Sequence, residues 1–260
     1  MYPWYDSWWL ADFASARDAL ASSPAVLERF DRDTDVLRTR PSFTTRVLGG
    51  FLDEPTRDRV AELIASLTPA DLDFAEAQSF GRFVSRNQPY LSKLHRRFTP
   101  FVSEQVGEPV EPTYNFLSLY GSPGVCAPHM DAPDAKWTLD ICVAQSAPWP
   151  IHFSQVVPWP EPARGVPAPS DWGDVIKRSP DLRFEPATLE PGDAVIFSGS
   201  SQWHYRDRMP PGPGRRFCEL LFFHFVPAGT RDLARPRNWA RTYDAPALEG
   251  LGANMADDFI

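Results

Sequence analysis

The chain has 260 residues, a net charge of −8, 43% hydrophobic residues and 23% charged residues. This length suits a single domain, 1–260, and the acidic balance argues against nucleic acid or an anionic membrane as a partner, because both bind basic surfaces. No apolar run reaches the ~20 residues of a membrane span, and the N-terminus lacks the features of a signal peptide. The 3 cysteines favour neither a disulfide framework nor a zinc site. We therefore expect a cytoplasmic protein with reduced cysteines.

The first part of the chain, residues 1–111, is predicted to form a helical layer. Five aromatic residues within residues 1–10 favour a segment that packs on the body or covers a cleft. Helices are predicted near Ala14–Ala21, after Ser23-Pro24 and after Asp53-Glu54-Pro55, where capping residues and proline are typical of a first turn. In the third of these helices one face is apolar and carries Val60, Leu63, Ile64 and Leu67.

A fourth helix is predicted from Tyr90 to Val106, with Gly107 as its end. Its apolar residues, among them Leu91, Leu94 and Phe98, are expected to face inward. His95 is followed by two arginines, so we expect it on the solvated face of this helix.

Residues 112–227 are predicted to form the core, because short aromatic and β-branched runs alternate there with turn residues. The predicted strands are Tyr114–Tyr120, Lys136–Val143, Pro150–Ser154, Ala194–Phe197, Trp203–Arg206 and Arg216–Val226. A proline-rich insertion, 156–181, interrupts them and is long enough to be functional. The tail, 228–260, has weak helical character. Helices followed by strands predict an α+β protein, a double-stranded β-helix (jelly roll) with a flanking helical layer.

A candidate metal site begins with His129-Met130-Asp131. On an extended segment, side chains two residues apart project to the same side, so the imidazole and the carboxylate can bind one ion. His204, on a later predicted strand, would complete a set of two histidines and one carboxylate on one face of a divalent metal, as in non-haem Fe(II) oxygenases. The alternative is that His129 and Asp131 form a hydrogen-bonded structural pair. His152 and His224 lie on apolar strands and are expected to be core residues.

The ordered pattern of Tyr120, His129-Met130-Asp131, Pro191-Gly192-Asp193, His204 and Arg215-Arg216 resembles the Fe(II)/2-oxoglutarate-dependent dioxygenase superfamily, nearest to its prolyl-hydroxylase-like branch. The resemblance covers roughly residues 43–226. It implies that His129, Asp131 and His204 bind Fe(2+), that 2-oxoglutarate is the co-substrate with O2, and that Tyr120 hydrogen-bonds to 2-oxoglutarate. The Gly-Gly-Glu-Thr-type segment of many members of this branch is replaced here by Ala147–Phe153.

The resemblance also implies a basic residue that binds the far carboxylate of 2-oxoglutarate, about ten to twelve residues after the second histidine. Arg215 and Arg216 both fit this spacing. Strand alternation favours Arg216, because Arg216 shares a face with Cys218, in an arrangement similar to the family's Arg-x-Ser. Arg206, two residues after His204, is a further candidate.

The function implied is an oxidoreductase that hydroxylates a small molecule or an amino-acid-like unit and releases succinate and CO2. Asp131 points to hydroxylation, since halogenating members of the family have a small residue at this position. Two alternatives stay open: a non-haem iron oxidase that does not use 2-oxoglutarate, and a non-catalytic jelly-roll binding protein. A small-molecule substrate is expected, without nucleic acid or membrane as a partner, and the oligomeric state is left open.

Overall fold

The structure is a computed structural model that describes residues 8–122, 124–159 and 171–253. Six α-helices lie in these ranges: α1 (Trp8–Leu20), α2 (Pro24–Asp35), α3 (Glu54–Ser66), α4 (Pro89–Val106), α5 (Trp172–Lys177) and α6 (Trp239–Thr242). Ten strands accompany them: β1 (Arg46–Leu48), β2 (Arg82–Arg86), β3 (Val110–Gly121), β4 (Cys126–His129), β5 (Trp137–Gln145), β6 (Ile151–Phe153), β7 (Glu185–Ala187), β8 (Ala194–Phe197), β9 (His204–Arg206) and β10 (Phe217–Pro227).

The ends of the long helices follow from local sequence. Helices α2, α3 and α4 each have proline in the first turn, where no backbone N–H is needed. Asp53 caps α3 by accepting a hydrogen bond from the Thr56 backbone N–H at 2.8 Å. Helix α4 ends at Gly107, whose φ of 75° places it in the left-handed region that glycine tolerates. The four predicted helices are therefore confirmed.

The strands form two antiparallel sheets. The larger sheet has six strands in the order β1-β8-β5-β10-β3-β2, and the smaller has four in the order β4-β9-β6-β7. All six predicted strands are present. Strands β1 and β2 come from residues predicted to be only helical, so that part of the chain also completes the larger sheet. Two antiparallel sheets with flanking helices confirm the α+β class and are consistent with a jelly roll.

Side-chain alternation gives the larger sheet two different faces. One face packs against α3 and α4 and contributes Leu117, Leu139, Ile141, Leu221 and Phe223 to the main core. The other face packs against the smaller sheet, with Tyr120, Cys142, Phe153, Phe197 and Leu220 between them. The space between the two sheets is the part of the fold that carries the candidate site.

A second hydrophobic cluster joins helices α1 and α2 to the segment after β10. Trp9 is fully buried there, donates its indole N–H to the Ala234 carbonyl oxygen at 2.9 Å, and packs edge-on against Trp239. Trp159, at the start of the predicted insertion, also packs against Trp9. Packing of the N-terminal aromatics on the body is thus confirmed for Trp9. Trp8, by contrast, is 42% exposed. The other parts of that prediction, on residues 1–7 and 160–170, lie outside the described residues.

The prediction that His95 lies on a solvated helix face is wrong. His95 is fully buried, its Nε2 lies 2.9 Å from the His224 carbonyl oxygen, and its ring packs against Phe223 and Phe225. The reason is helical spacing: His95 follows Leu91 by four residues and precedes Phe98 by three, which puts it on the apolar stripe of α4.

Burial lowers the pKa of His95 to about 3, so its ring stays neutral in the folded protein. An unfolded chain binds a proton on this residue near pH 6.5. The contribution of the neutral His95 ring to the free energy of unfolding is therefore fully present above pH 6.5 and is lost as the pH falls towards 3. We expect the free energy of unfolding of wild type to fall more steeply than that of His95→Gln between pH 6 and 4, by up to ~1.4 kcal/mol per pH unit. Urea unfolding of metal-free protein would measure this, and equal slopes would contradict it.

Candidate metal centre

Two neighbouring strands bring the candidate ligands together. His129 ends β4 and pairs directly with His204 at the start of β9, so the two rings lie 4.2 Å apart between centroids. Asp131 follows β4, and its backbone N–H donates to the Gly199 carbonyl oxygen at 2.9 Å. His129 and His204 are buried, and the Asp131 side chain is 9% exposed. Cross-strand pairing therefore places two distant histidines beside a carboxylate.

The donor atoms converge on one point. The Nε2 atoms of His129 and His204 lie 3.4 Å and 3.8 Å from Asp131 Oδ1, and the three ligand atoms lie within 4.8 Å of one another. Each Nδ1 faces a backbone carbonyl oxygen, of Ala127 at 2.9 Å and of Gln202 at 3.0 Å. Because a carbonyl oxygen can only accept, each Nδ1 carries the hydrogen, and each Nε2 is the nitrogen available to a metal.

Two of the three groups have the protonation state that metal binding requires, and the third has to lose a proton. Burial lowers the pKa of His204 to about 4, so its ring is neutral, as metal binding requires. Burial by itself would raise the pKa of Asp131, but the two imidazoles hold it below its usual range and keep the carboxylate charged. Burial likewise opposes charge on His129, yet Cys126 and Asp131 hold its pKa well above the usual value. A bound divalent cation would displace that proton.

A glycine leaves room for the carboxylate. A Cβ atom at Gly199 would collide with Asp131 Oδ2, and would lie 2.5 Å from the Ala135 carbonyl oxygen and 2.9 Å from Thr138 Oγ1. Only a residue without a side chain fits against Asp131 here. Together with the two imidazoles, this arrangement fits the donor set that Fe(II) takes in non-haem oxygenases.

The ligand atoms open onto a cavity between the two sheets. Its lining from strands β3 and β10 is largely aromatic and includes Tyr114, Phe116, Tyr120, Phe222 and His224. His224 was expected to be a core residue; it is 2% exposed, but it borders the cavity and stacks on Tyr114 with ring centroids 4.1 Å apart. Burial lowers its pKa to about 4, so the ring is neutral.

Tyr120 and two arginines line another part of the same cavity. Arg82 donates to the Tyr120 hydroxyl at 3.0 Å and to the Glu76 carboxylate. Arg206 donates to Asp140 Oδ2 at 3.0 Å and to the Trp149 carbonyl oxygen. Burial raises the pKa of the Tyr120 phenol, which therefore keeps its hydrogen. Burial also raises the pKa of Asp140, to about 6, although Arg206 opposes the shift.

The structure does not bring Arg215 and Arg216 to this cavity. Arg215 is exposed, and Arg216 is half-buried with its guanidinium against Gly212 in its own loop. Strand alternation does place Phe222 and His224 of β10 on the cavity side, but the strand begins only at Phe217. Arg216 therefore lies outside the strand, and strand alternation does not determine where its side chain points.

The sequence interpretation does not identify Arg82, which the structure places in the lining of this cavity. Its strand, Arg-Phe-Val-Ser-Arg, mixes polar and apolar residues on both faces, so no alternation distinguishes an inward face. The presence of Arg82 and Arg86 in one short strand is the only sequence signal that could have pointed to it. Arg206, by contrast, shares strand parity with His204, and this is the sequence signal that points to it.

No protein-family model matches the sequence, and comparison with curated proteins gives no match. Solved structures do resemble it. The non-heme alpha ketoglutarate dependent epimerase SnoN from nogalamycin biosynthesis has a TM-score of 0.52 and 16% identity, over 81% of this chain and 89% of that chain. SnoN in complex with Fe3+, alpha ketoglutarate and nogalamycin RO has a TM-score of 0.52 and 15% identity, over 81% and 90%.

HygX from Streptomyces hygroscopicus, with nickel and 2-oxoglutarate bound, has a TM-score of 0.50 and 12% identity, over 71% of this chain and 83% of that chain. At such identities the likeness concerns the fold. No helix among the described residues has the length and apolarity needed to span a bilayer. The chain thus has the fold of these solved structures, which is the fold that the resemblance to the Fe(II)/2-oxoglutarate-dependent dioxygenase superfamily implies.

Proposed function

We propose that the protein is an Fe(II)/2-oxoglutarate-dependent oxygenase that hydroxylates a small molecule or an amino-acid-like unit and releases succinate and CO2. The observation that carries the proposal is the convergence of His129 Nε2, His204 Nε2 and one Asp131 carboxylate oxygen, with both Nδ1 atoms turned away to backbone carbonyls. Bound ferrous iron would activate O2 with 2-oxoglutarate as the reductant. Three protein ligands would leave coordination positions for both.

The residues around the ligands have separate tasks in this proposal. Asp131 supplies one negative charge, so a divalent ion keeps net positive charge and attracts an anionic keto acid. Tyr120 keeps its phenolic hydrogen and would donate a hydrogen bond to the co-substrate. Phe116 and Phe222, stacked with centroids 4.8 Å apart, would exclude water from the reacting carbon.

We infer an apolar or ring-bearing substrate, since aromatic side chains from β3 and β10 line the cavity. A small-molecule partner is also in keeping with the SnoN complex, which contains nogalamycin RO. The acidic net charge of −8 supports the proposal that nucleic acid is not the substrate. A single jelly-roll domain that encloses this cavity is part of the same proposal.

An anaerobic titration tests the proposal. Fe(II)-loaded protein is expected to develop a weak visible charge-transfer band when 2-oxoglutarate is added, and to form succinate slowly once O2 is admitted. Both results should be absent in His129→Ala and present in His152→Ala, whose imidazole stacks on Tyr205 and is not among the candidate ligands.

The outcomes separate the alternatives. Iron binding and O2 consumption without a 2-oxoglutarate band would favour the iron oxidase that does not use this co-substrate. Absence of both the band and succinate in metal-loaded wild type would favour the non-catalytic binding protein. Either result would overturn the proposed function.

A further inference from the structure

We propose that Arg82 and Arg206 bind the distal carboxylate of 2-oxoglutarate, in place of Arg215 or Arg216. The inference rests on the proposed function, because it concerns the co-substrate of the same site. It follows from where the cations of the described residues lie relative to the cavity.

Both arginines line the cavity that contains the candidate iron ligands. Arg82 is 6% exposed and Arg206 is 2% exposed. Removing two cations from water is costly unless anions and hydrogen-bond acceptors compensate for the loss of solvent. An anionic ligand between them would add to that compensation at the place where a co-substrate is needed.

Each guanidinium is fixed by a carboxylate. Glu76 holds Arg82, and Asp140, which is fully buried, holds Arg206 at 3.0 Å. A guanidinium has five N–H groups, and the hydrogen bonds found for Arg206 among the described residues go to two acceptors, Asp140 and the Trp149 carbonyl. Arg206 is therefore oriented before a ligand arrives and retains N–H groups for a second carboxylate.

Tyr120 connects the two arginines. Its hydroxyl accepts a hydrogen bond from Arg82 at 3.0 Å, and the positive charges of Arg82 and Arg206 both act on it. Having accepted one hydrogen bond, the phenol still has its own hydrogen to donate. A carboxylate beside Tyr120 would thus meet a neutral donor and two cations.

The distance from the iron ligands is suitable for a five-carbon dicarboxylate. Arg206 follows His204 by two residues on β9, on the same face, which separates their Cα atoms by about 7 Å. Arg206 also pairs with Cys126, whose Sγ lies 3.8 Å from His129 Nδ1. A keto acid that chelates the metal can therefore direct its tail along β9 towards the guanidinium groups.

The test compares two ligands that differ only at the tail. In 2-oxopentanoate a methyl group replaces the distal carboxylate of 2-oxoglutarate, and the chelating end is unchanged. Dissociation constants would be measured by calorimetry on Ni(II)-loaded protein. We expect Arg82→Gln and Arg206→Gln each to raise the dissociation constant of 2-oxoglutarate by about 10- to 100-fold, which corresponds to the loss of a charge-assisted hydrogen bond. The dissociation constant of 2-oxopentanoate should stay within about twofold of the wild-type value. Arg215→Gln and Arg216→Gln are the matched controls, with both ligands unaffected.

Further variants protect the test against misfolding, since Arg206→Gln leaves the buried Asp140 without its partner. The double variants Glu76→Gln/Arg82→Gln and Asp140→Asn/Arg206→Gln remove the charges in pairs. Arg206→Lys keeps the charge but not the forked geometry, and should show a smaller loss in the same direction.

The results distinguish this inference from the proposed function. The two-arginine assignment is wrong if Arg216→Gln or Arg215→Gln weakens the binding of 2-oxoglutarate but not that of 2-oxopentanoate. It is also wrong if Arg82 or Arg206 can be replaced without such a selective loss of 2-oxoglutarate binding. In both cases the proposed function stands. If wild type binds neither keto acid, the proposed function itself fails.

Discussion

Asp131→Asn is expected to lower Fe(II) affinity by more than ~100-fold and to abolish succinate formation. Replacement of an outer hydrogen-bond partner of a metal ligand typically costs about 10- to 100-fold in metal affinity, and loss of a charged ligand should cost more. Asparagine has nearly the same shape, so the backbone hydrogen bond from residue 131 to Gly199 should persist. Competition with a chromogenic chelator would measure the affinity.

The matched control for this change is Asp207→Asn. Asp207 is an exposed carboxylate paired with Lys177, and it lies outside the candidate ligand set. We expect its Fe(II) affinity to equal that of wild type. Full Fe(II) affinity in Asp131→Asn would show that the carboxylate is not a ligand and that the pair of His129 and Asp131 is structural.

Gly199→Ala is expected to disturb both the fold and the metal centre. The added methyl group would overlap Asp131 Oδ2 and the Ala135 carbonyl oxygen, which belongs to backbone and cannot rotate away. Overpacking of this kind costs ~1–3 kcal/mol of unfolding free energy. Displacement of Asp131 should also weaken Fe(II) binding, by about the 10- to 100-fold expected when a ligand loses its orientation.

Gly49→Ala serves as the comparison, because a Cβ atom there would meet its nearest neighbour, Asp193 Oδ1, only at 3.9 Å. Its stability should stay within about 0.5 kcal/mol of wild type. Chemical unfolding of both metal-free variants and Fe(II) titration of both would be compared. Equal behaviour of the two variants would mean that Asp131 can move without consequence, against its assignment as a ligand.

Long elements of this fold could be predicted because their patterns are local. Helix α3 has a cap, a proline and an apolar stripe, and the turn at Pro191-Gly192-Asp193 precedes β8 as expected, with Gly192 at a φ of 98°. The strands that the sequence does not predict carry too little pattern. Strands β4 and β7 each contain a proline, and β1 has three residues, so their pairing depends on neighbours distant in the chain.

The candidate site divides in the same way. Strand parity indicates that His129 and Asp131 project to the same side, and the family resemblance adds His204, which the structure pairs with His129 across β4 and β9. The prediction that they bind iron awaits the experiments above. Strand parity does not determine the direction of the Arg216 side chain, because Arg216 precedes β10. Parity also cannot predict that His95 of α4 contacts His224 of β10. Tertiary packing decides those positions.

The position of β10 has a consequence for how the protein is made. This strand lies between β5 and β3 in the larger sheet, yet it is the last strand in the chain among the described residues. A nascent chain that ends before Phe217 would expose the unpaired edges of β3 and β5, and such edges favour aggregation. The second hydrophobic cluster, around Trp9, also cannot form before Ala234 and Trp239 have been synthesised. The larger sheet should therefore form only after β10 has been synthesised, and truncations that remove Phe217–Pro227 should be insoluble.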